Sequence, residues 1–381
     1  MKAVLVAVAL LAATAPAIAD ETPIRVSVLR HQFQTVLSSE GGLTVRPPNA
    51  MTGSPYVAPD VTTVLDIRPA TRGLLLAGAI QAGDTVVVTP AADFPVSVDG
   101  HRYRGTVIVA AGPDGTLDVT NVVDLEQYLY SVVGSEMEAS WPSAALQAQA
   151  IVARTYAVAH LGTRDWLGYD LLAGEQDQAY QGMQAEASRV ASAVDATRGT
   201  ILVYGSDLVH AYYSSCDGGY TSRGDALSDP QPYLISMPDP YCRLSPDESW
   251  TADVPLDDFA QAFTDRYGDV GQIVAVHAGE ADSSGRLETV TILGTLDSRA
   301  IPATAFRALA GTHLVRSTRI TSIDVVGLAI RVSGSGFGHG VGMSQWGAKG
   351  LAEAGRSAQD ILKFYYRGAQ FAQIAERLGV K

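Results

Sequence analysis

The sequence predicts an α+β protein. A β-rich N-terminal part and a second, inserted set of strands should pack around a helical centre. Three observations carry this. Between Pro23 and Asn121, short β-branched runs alternate with Gly, Pro and Asp. At Asp124 the apolar period becomes helical, and an alanine-rich stretch runs to His160. Beyond Trp250 a helix and several strands precede a glycine-rich segment and a last helix.

Taken in order, residues 1–19 read as a secretory leader. Lys2 is followed by an apolar run and by Ala17-Ile18-Ala19, a small-x-small cleavage pattern. The run is too short and too rich in alanine for a good membrane span, and no cysteine follows it to carry a lipid. Residues 20–121 form the β-rich part, with "PIRVSVL", "TTVLDI", "DTVVVTP", "FPVSVDG", "YRGTVIVAA" and "TLDVTNVV" as strands and the proline-rich segment 46–59 as a loop. Residues 122–250 form the first part of a central core. Asp124 is a good helix N-cap, with Gln127 where a capping box wants it. Gly134 is expected to end that helix, leaving Glu136 in a loop just beyond. A second helix should start near Ser140–Pro142 and run to His160, with Leu146, Ala150, Ala153 and Ala157 down one side. A third should occupy 186–199 and stop at Gly199, followed by two strands around Gly-Ser-Asp and by the loop "CDGG". Residues 251–330 read as an inserted α+β segment with a helix near 257–267, and residues 331–381 as the glycine-rich motif and final helix.

The formal charge is −13 and the isoelectric point about 4.9. Such a chain is not a nucleic-acid binder, because phosphate contacts need basic patches, and it is ill suited to anionic lipid. An exported protein, periplasmic or extracellular, with a neutral or weakly charged substrate fits better. The two cysteines, Cys216 and Cys242, read by default as a disulfide in an oxidising compartment. Zinc with His210, a catalytic thiol at Cys216 and two free thiols are the alternatives. Zinc needs four ligands and no second histidine lies nearby in sequence, so no cofactor is expected.

Arg154 sits in the middle of the alanine-rich helix. An unpaired buried guanidinium costs several kcal/mol, so it needs an acceptor.

Three stretches together carry a resemblance: "VVGSEMEASWPSAALQAQAIVARTYA", "HAYYSSCDGGYTS" with "PYL" beyond it, and "GSGFGHGVGMSQWGAKGLAEAG" with "ILKFYY". In content, order and separation they resemble the sporulation stage II protein D family, which includes proteins called amidase enhancers. "YRGTVIV", "SGRLETVTILG" and "FRALAG" with "LVRSTR" agree. The resemblance implies a peptidoglycan lytic transglycosylase with a glycan-binding groove. Its substrate would be glycan strands, cut between N-acetylmuramic acid and N-acetylglucosamine and preferred when stripped of stem peptides. It makes Glu136 of the "EM" pair the catalytic acid and Arg154 the motif arginine. Some relatives hold zinc through extra Cys and His residues, of which only His210, Cys216 and Cys242 have counterparts here. A cell-wall amidase is a further expected partner if the chain acts as an enhancer instead.

The residues allow that chemistry. A lytic transglycosylase needs one carboxyl, acid then base, since the substrate's own hydroxyl is the nucleophile. A hydrolase needs two carboxyls roughly 5–9.5 Å apart. Glu138, two residues beyond Glu136, seldom faces the same way. A close Arg154 would lower the pKa of Glu136, while apolar walls such as Met137 and Trp141 would raise it. Arg154 is therefore expected either to contact the sugar's lactyl carboxylate or N-acetyl oxygen, or to be held by backbone carbonyls or a structural carboxylate. In "GFGHGVGMSQWGA", His339, Ser344, Gln345 and Trp346 offer donors and a ring to a sugar, and in "YYSSCDGGYTS", Ser214 and Thr221 offer hydroxyls.

Overall fold

The computed structural model describes residues 22–48, 64–91, 94–112, 114–225, 227 and 230–375. The expected leader and most of the proline-rich loop lie outside the described residues.

The β-rich N-terminal part builds two six-stranded sheets, the first completed by a parallel strand from the central core, Leu171–Leu172. In the first, strand Pro23–Gln32 pairs antiparallel with Leu117–Asp124, which continues to Thr106–Ala111, Thr85–Pro90 and Leu43–Arg46. Alternation drives it: Val107 and Val109 face the core, as do Val86 and Val88 on the neighbouring strand. The second sheet holds Thr35–Ser38 between Val64–Pro69 and Val96–Val98. Its last hairpin turns on Asp99-Gly100, both with positive φ (48° and 89°), the backbone a two-residue primed turn needs.

Seven helices follow among the described residues. Helix α1, Leu125–Glu136, starts where the Asp124 carboxylate accepts from the Glu126 and Gln127 amides. It does not stop at Gly134. A Cβ there would lie 2.0 Å from the Ala185 carbonyl oxygen, so glycine serves close packing, and Glu136 is the last helical residue rather than a loop residue. Helix α2, Ser143–His160, packs against α1, against α3 (Ser188–Asp195) and against strand Thr200–Tyr204. Ala145, Ala148, Ala150, Ala153 and Ala157 are fully buried, and their small side chains let these neighbours approach. Helix α4 (Leu256–Tyr267) and α5 (Ala303–Ala310) lie in the inserted segment. Helix α6, Gln345–Glu353, rises from what reads in the sequence as a continuous glycine-rich loop, and α7, Ala358–Tyr365, opens with a Ser357–Asp360 capping box. No helix of the described residues is long and apolar enough to cross a membrane.

Two separate groups of buried side chains result. One joins both N-terminal sheets to α1, α2, α3, α6 and α7. The other lies wholly within 250–332, under strands Trp250–Pro255, Ile320–Val326 and Ala329–Gly334 and strands Ile273–Ala278, Thr289–Gly294 and Ser298–Pro302. The Trp250 indole N–H donates to the Gly336 carbonyl at 2.9 Å, just where the chain leaves this second unit.

Arg154 is completely buried. Its Nε and Nη2 donate to the two carboxylate oxygens of Glu126, at 2.8 and 2.7 Å. The remaining donors reach the Thr200 carbonyl at 3.1 Å and the Val194 carbonyl at 3.3 Å, and Glu126 also accepts from the Gly199 amide at 3.0 Å. Breaking a buried pair leaves one uncompensated charge. Arg154→Met should therefore lower the unfolding free energy by about 3–5 kcal/mol. The double change Glu126→Leu/Arg154→Met should recover much of that loss in urea titrations, because no charge is then left unpaired.

Candidate active site

A cleft of about 1140 Å³ runs between the central core and the inserted unit. Glu136, Tyr156, Tyr213, Ser214, His339 and Gln345 line one wall. Asp282, Arg286, Glu288, Pro302 and Arg307 line the other.

Glu136 reaches this cleft because it ends α1. Its Oε1 accepts from the Ala179 amide at 3.0 Å and from the Tyr213 hydroxyl at 3.1 Å, and Oε2 accepts from the Gln345 side-chain amide at 3.1 Å. A carboxyl oxygen has two lone-pair sites, so Oε2 keeps room for a proton while all three bonds persist. Burial raises the pKa of Glu136 above the ordinary carboxylate value. The three hydrogen bonds pull the other way, and the charge of Glu175 adds to the rise. The donors are themselves held. Tyr213 accepts from the Gln178 amide at 3.2 Å, and Gln178 accepts from the Tyr128 hydroxyl at 3.0 Å.

His339 stands on the glycine-rich turn. Its Nδ1 accepts from the Val341 amide at 3.0 Å, which puts the ring proton on Nε2. Loss of water, with the charges of Arg286 and Arg307 nearby, pushes its pKa down to about 4, so the ring is neutral at neutral pH. Ser214 accepts from the Gly340 amide at 3.2 Å. Arg286, almost wholly buried, clamps the turn from the inserted unit. Its Nε donates to the His339 carbonyl at 2.8 Å and its Nη2 to the Asp217 carbonyl at 3.0 Å.

Several sequence-level candidates lie elsewhere. Arg154 does not line the cleft; it belongs to the Glu126 pair, and its donors are engaged inside the protein. It is a structural cation rather than a substrate contact. The Thr221 hydroxyl donates to the Ile235 carbonyl at 2.7 Å and accepts from the Met237 amide at 3.1 Å, so it pins a loop instead of facing the cleft. Ser344 is fully buried as the N-cap of α6, accepting from the Gly347 amide at 3.1 Å. The Trp141 and Trp346 rings pack on each other, 4.8 Å apart under Lys349, and neither lines the cleft. The aromatic surface there comes from Tyr156, Tyr212, Tyr213 and Phe337. A disulfide joins Cys216 to Cys242 (Cα–Cα 5.9 Å), which removes both thiolates from metal binding and from nucleophilic catalysis.

Sequence reasoning missed Tyr213, Gln178, Glu175 and Arg307. Tyr213 carried a signal, since it begins a polar run at the end of a strand. Glu175 and Arg307 carried none, being a charged loop residue and a helix residue far apart in the chain.

The turn tolerates little substitution. A Cβ on Gly342 (φ 71°) would lie 2.0 Å from the Tyr212 carbonyl oxygen, whereas one on Gly327 (φ 61°) would meet open space. Gly327→Ala should cost about 1 kcal/mol, the left-handed strain alone. Gly342→Ala should cost at least about 2 kcal/mol more by urea unfolding, because backbone must move.

Comparison with known proteins identifies relatives of the chain. The family model described as stage II sporulation protein matches residues 113–204, the segment that carries α1, α2 and the Arg154 ion pair. An uncharacterized protein of Brachyspira hyodysenteriae is 34% identical over 282 residues, covering 71% of this chain and 73% of that protein. Stage II sporulation protein D of Bacillus subtilis is 30% identical over 274 residues, covering 66% of this chain and 75% of its own length. The amidase enhancer of Bacillus subtilis is 28% identical over 322 residues, 72% of this chain but only 44% of that longer protein. With the Bacillus subtilis sporulation protein 30% identical and matched over three quarters of its length, the chain belongs to the stage II sporulation protein D family.

Proposed function

We propose that this protein is an exported peptidoglycan lytic transglycosylase in which Glu136 acts first as acid and then as base. The observation that carries the reading is the Glu136 carboxyl itself. Burial raises its pKa above the ordinary carboxylate value, three neutral donors hold it, and it is set in the wall of a long cleft.

In the first half-reaction the Glu136 proton passes to the oxygen bridging muramic acid and the next sugar, and that bond breaks. The positive charge that develops on the sugar ring faces a carboxylate newly formed at Glu136. In the second half, the same carboxylate takes the proton from the muramic acid 6-hydroxyl, whose oxygen closes on the anomeric carbon. A 1,6-anhydro ring forms and Glu136 is again protonated, so no water is consumed. The neutral donors support this cycle. Tyr213 and Gln345 orient the carboxyl without the large pKa depression a guanidinium in contact would impose. The neutral His339 ring, held by the Val341 amide and by the Tyr213 main chain, lines the same cleft without placing a charge beside the carboxyl.

A second reading has an observation of its own. The Bacillus subtilis relative named amidase enhancer aligns over 72% of this chain. On that reading the cleft grips glycan without cutting it, and the partner is a cell-wall amidase.

Digestion of purified glycan strands separates the two. Fragments lighter by one water than hydrolysis products are expected from the unaltered protein, falling about 10²–10⁴-fold in rate with Glu136→Gln. Binding without fragments would leave the enhancer reading in place. Fragments with a hydrated reducing end would bring in Glu175, which lines the same cleft, as a water-activating second carboxylate.

The pH dependence follows from the same carboxyl. The rate should fall as pH rises through the raised pKa of Glu136, since the acid is lost. Stability carries the same sign. The cost of burying the charge is absent below the unfolded carboxyl pKa, about 4.3, and grows as pH rises through the folded value. Glu136→Gln should therefore be more stable than the unaltered protein at pH 8 and no different at pH 4 by thermal melting.

A further inference from the structure

Three arginines line the cleft: Arg223, Arg286 and Arg307. Arg223 faces Asp225 at 3.6 Å. Arg286 is 5% exposed, with Nε and Nη2 on the His339 and Asp217 carbonyls and Nη1 buried away from solvent without a partner among the described residues. Arg307 differs from Arg223 in having, among the described residues, no carboxylate within ion-pair distance, and from Arg286 in being only half-buried. It projects from α5 of the inserted unit, and its Nε donates to the Val315 carbonyl at 2.9 Å. Among the described residues neither of its terminal nitrogens has a hydrogen-bond or ion-pair partner.

A half-buried guanidinium in that state is an uncompensated charge, and burial accordingly lowers its pKa. Glu175 acts on it only at a distance. That carboxylate is 78% exposed and lies 4.0 Å from His313. Arg307 is nonetheless part of the neighbourhood of Glu136. Its charge is felt by His339, and the charge of Glu175 is felt by both Arg307 and Glu136. The cleft thus presents an acid on one wall and a guanidinium with two open donors on the other.

We propose that Arg307 is the carboxylate-binding residue of the cleft, taking the lactyl carboxylate of a muramic acid from which the peptide has been removed. This rests on the glycan reading above. The two terminal nitrogens match the two oxygens of a carboxylate in a fork-to-fork pair. A lactyl group still bearing its peptide presents a neutral amide there, with one carbonyl oxygen and no charge, and cannot complete the pair. Arg307 is therefore a specificity-determining residue: it separates stripped strands from peptide-bearing ones. The arginine of the alanine-rich helix, which the sequence offers for this role, is walled off behind Glu126.

The test measures binding by calorimetry with the Glu136→Gln protein, which leaves strands intact. Two ligands are compared: peptide-stripped strands, and the same strands with their lactyl carboxylates converted to methylamides. The expected result is at least about tenfold tighter binding of the free-carboxylate strands. Adding Arg307→Gln should erase that preference by weakening the free-carboxylate strands alone, and Arg307→Lys should restore part of it. Equal binding of the two ligands by Glu136→Gln, or a preference that survives Arg307→Gln, overturns the assignment while leaving the glycan reading intact. Failure to bind either strand overturns the glycan reading and this assignment with it. The comparison of ligands on the Glu136→Gln protein stands even if the Arg307 variants do not fold.

Discussion

The ion pair between Glu126 and Arg154 determines where the rest of the site can be. Glu126 lies in the first turn of α1 and Glu136 ends it, ten residues or about 15 Å along the axis. By clasping Arg154 of α2 with both oxygens, Glu126 locks α1 in rotation and in position. The other Arg154 donors hold the end of α3 and the start of strand Thr200–Tyr204. That strand leads to Tyr213, which in turn donates to Glu136. One buried charge pair thus orients both the helix that carries the carboxyl and the chain segment that supplies a donor to it.

The cleft exists because the chain builds two cores rather than one. The residues between Trp250 and Val332 bury their own apolar side chains and approach the central core across polar contacts. Arg286 is the main clasp, reaching from the inserted unit into the glycine-rich turn and the loop beside the disulfide. The glycines of that turn make this possible. At Gly340 even a methyl group would collide with the Arg286 guanidinium. The backbone there lies so close to its neighbours that main-chain amides hold both His339 and Ser214.

The electrostatics of the site follow from separating its cations from the Glu136 carboxyl. Glu136 is bonded only by neutral donors. Arg154 is neutralised behind it, Arg286 is directed at carbonyls, and Arg307 stands on the far wall. A guanidinium in contact with the carboxyl would stabilise its charged form, and burial would then no longer favour the proton.

Much of the fold was legible in the sequence because it rests on local physics. The strands before Asn121 announce themselves by alternation, Asp124 by its capping chemistry, and α2 by its alanines. The cysteines pair as an oxidising compartment suggests. Glu136 as the acid came from a motif resemblance, and its hydrogen bonds did not. Local signals also misled. Gly134 reads as a helix stop, yet it is a packing residue whose neighbour, Ala185, lies some fifty positions away. Ser344 and Thr221 read as sugar-facing hydroxyls, yet one caps α6 and the other pins a loop. What the sequence determined by itself was the set of elements, since periodicity, capping and composition act over a few residues. Which arginine meets Glu126, which donors meet Glu136 and which guanidinium faces the cleft were decided only by tertiary packing. Those contacts join residues 28, 77 and 209 positions apart, and no short-range rule reaches that far.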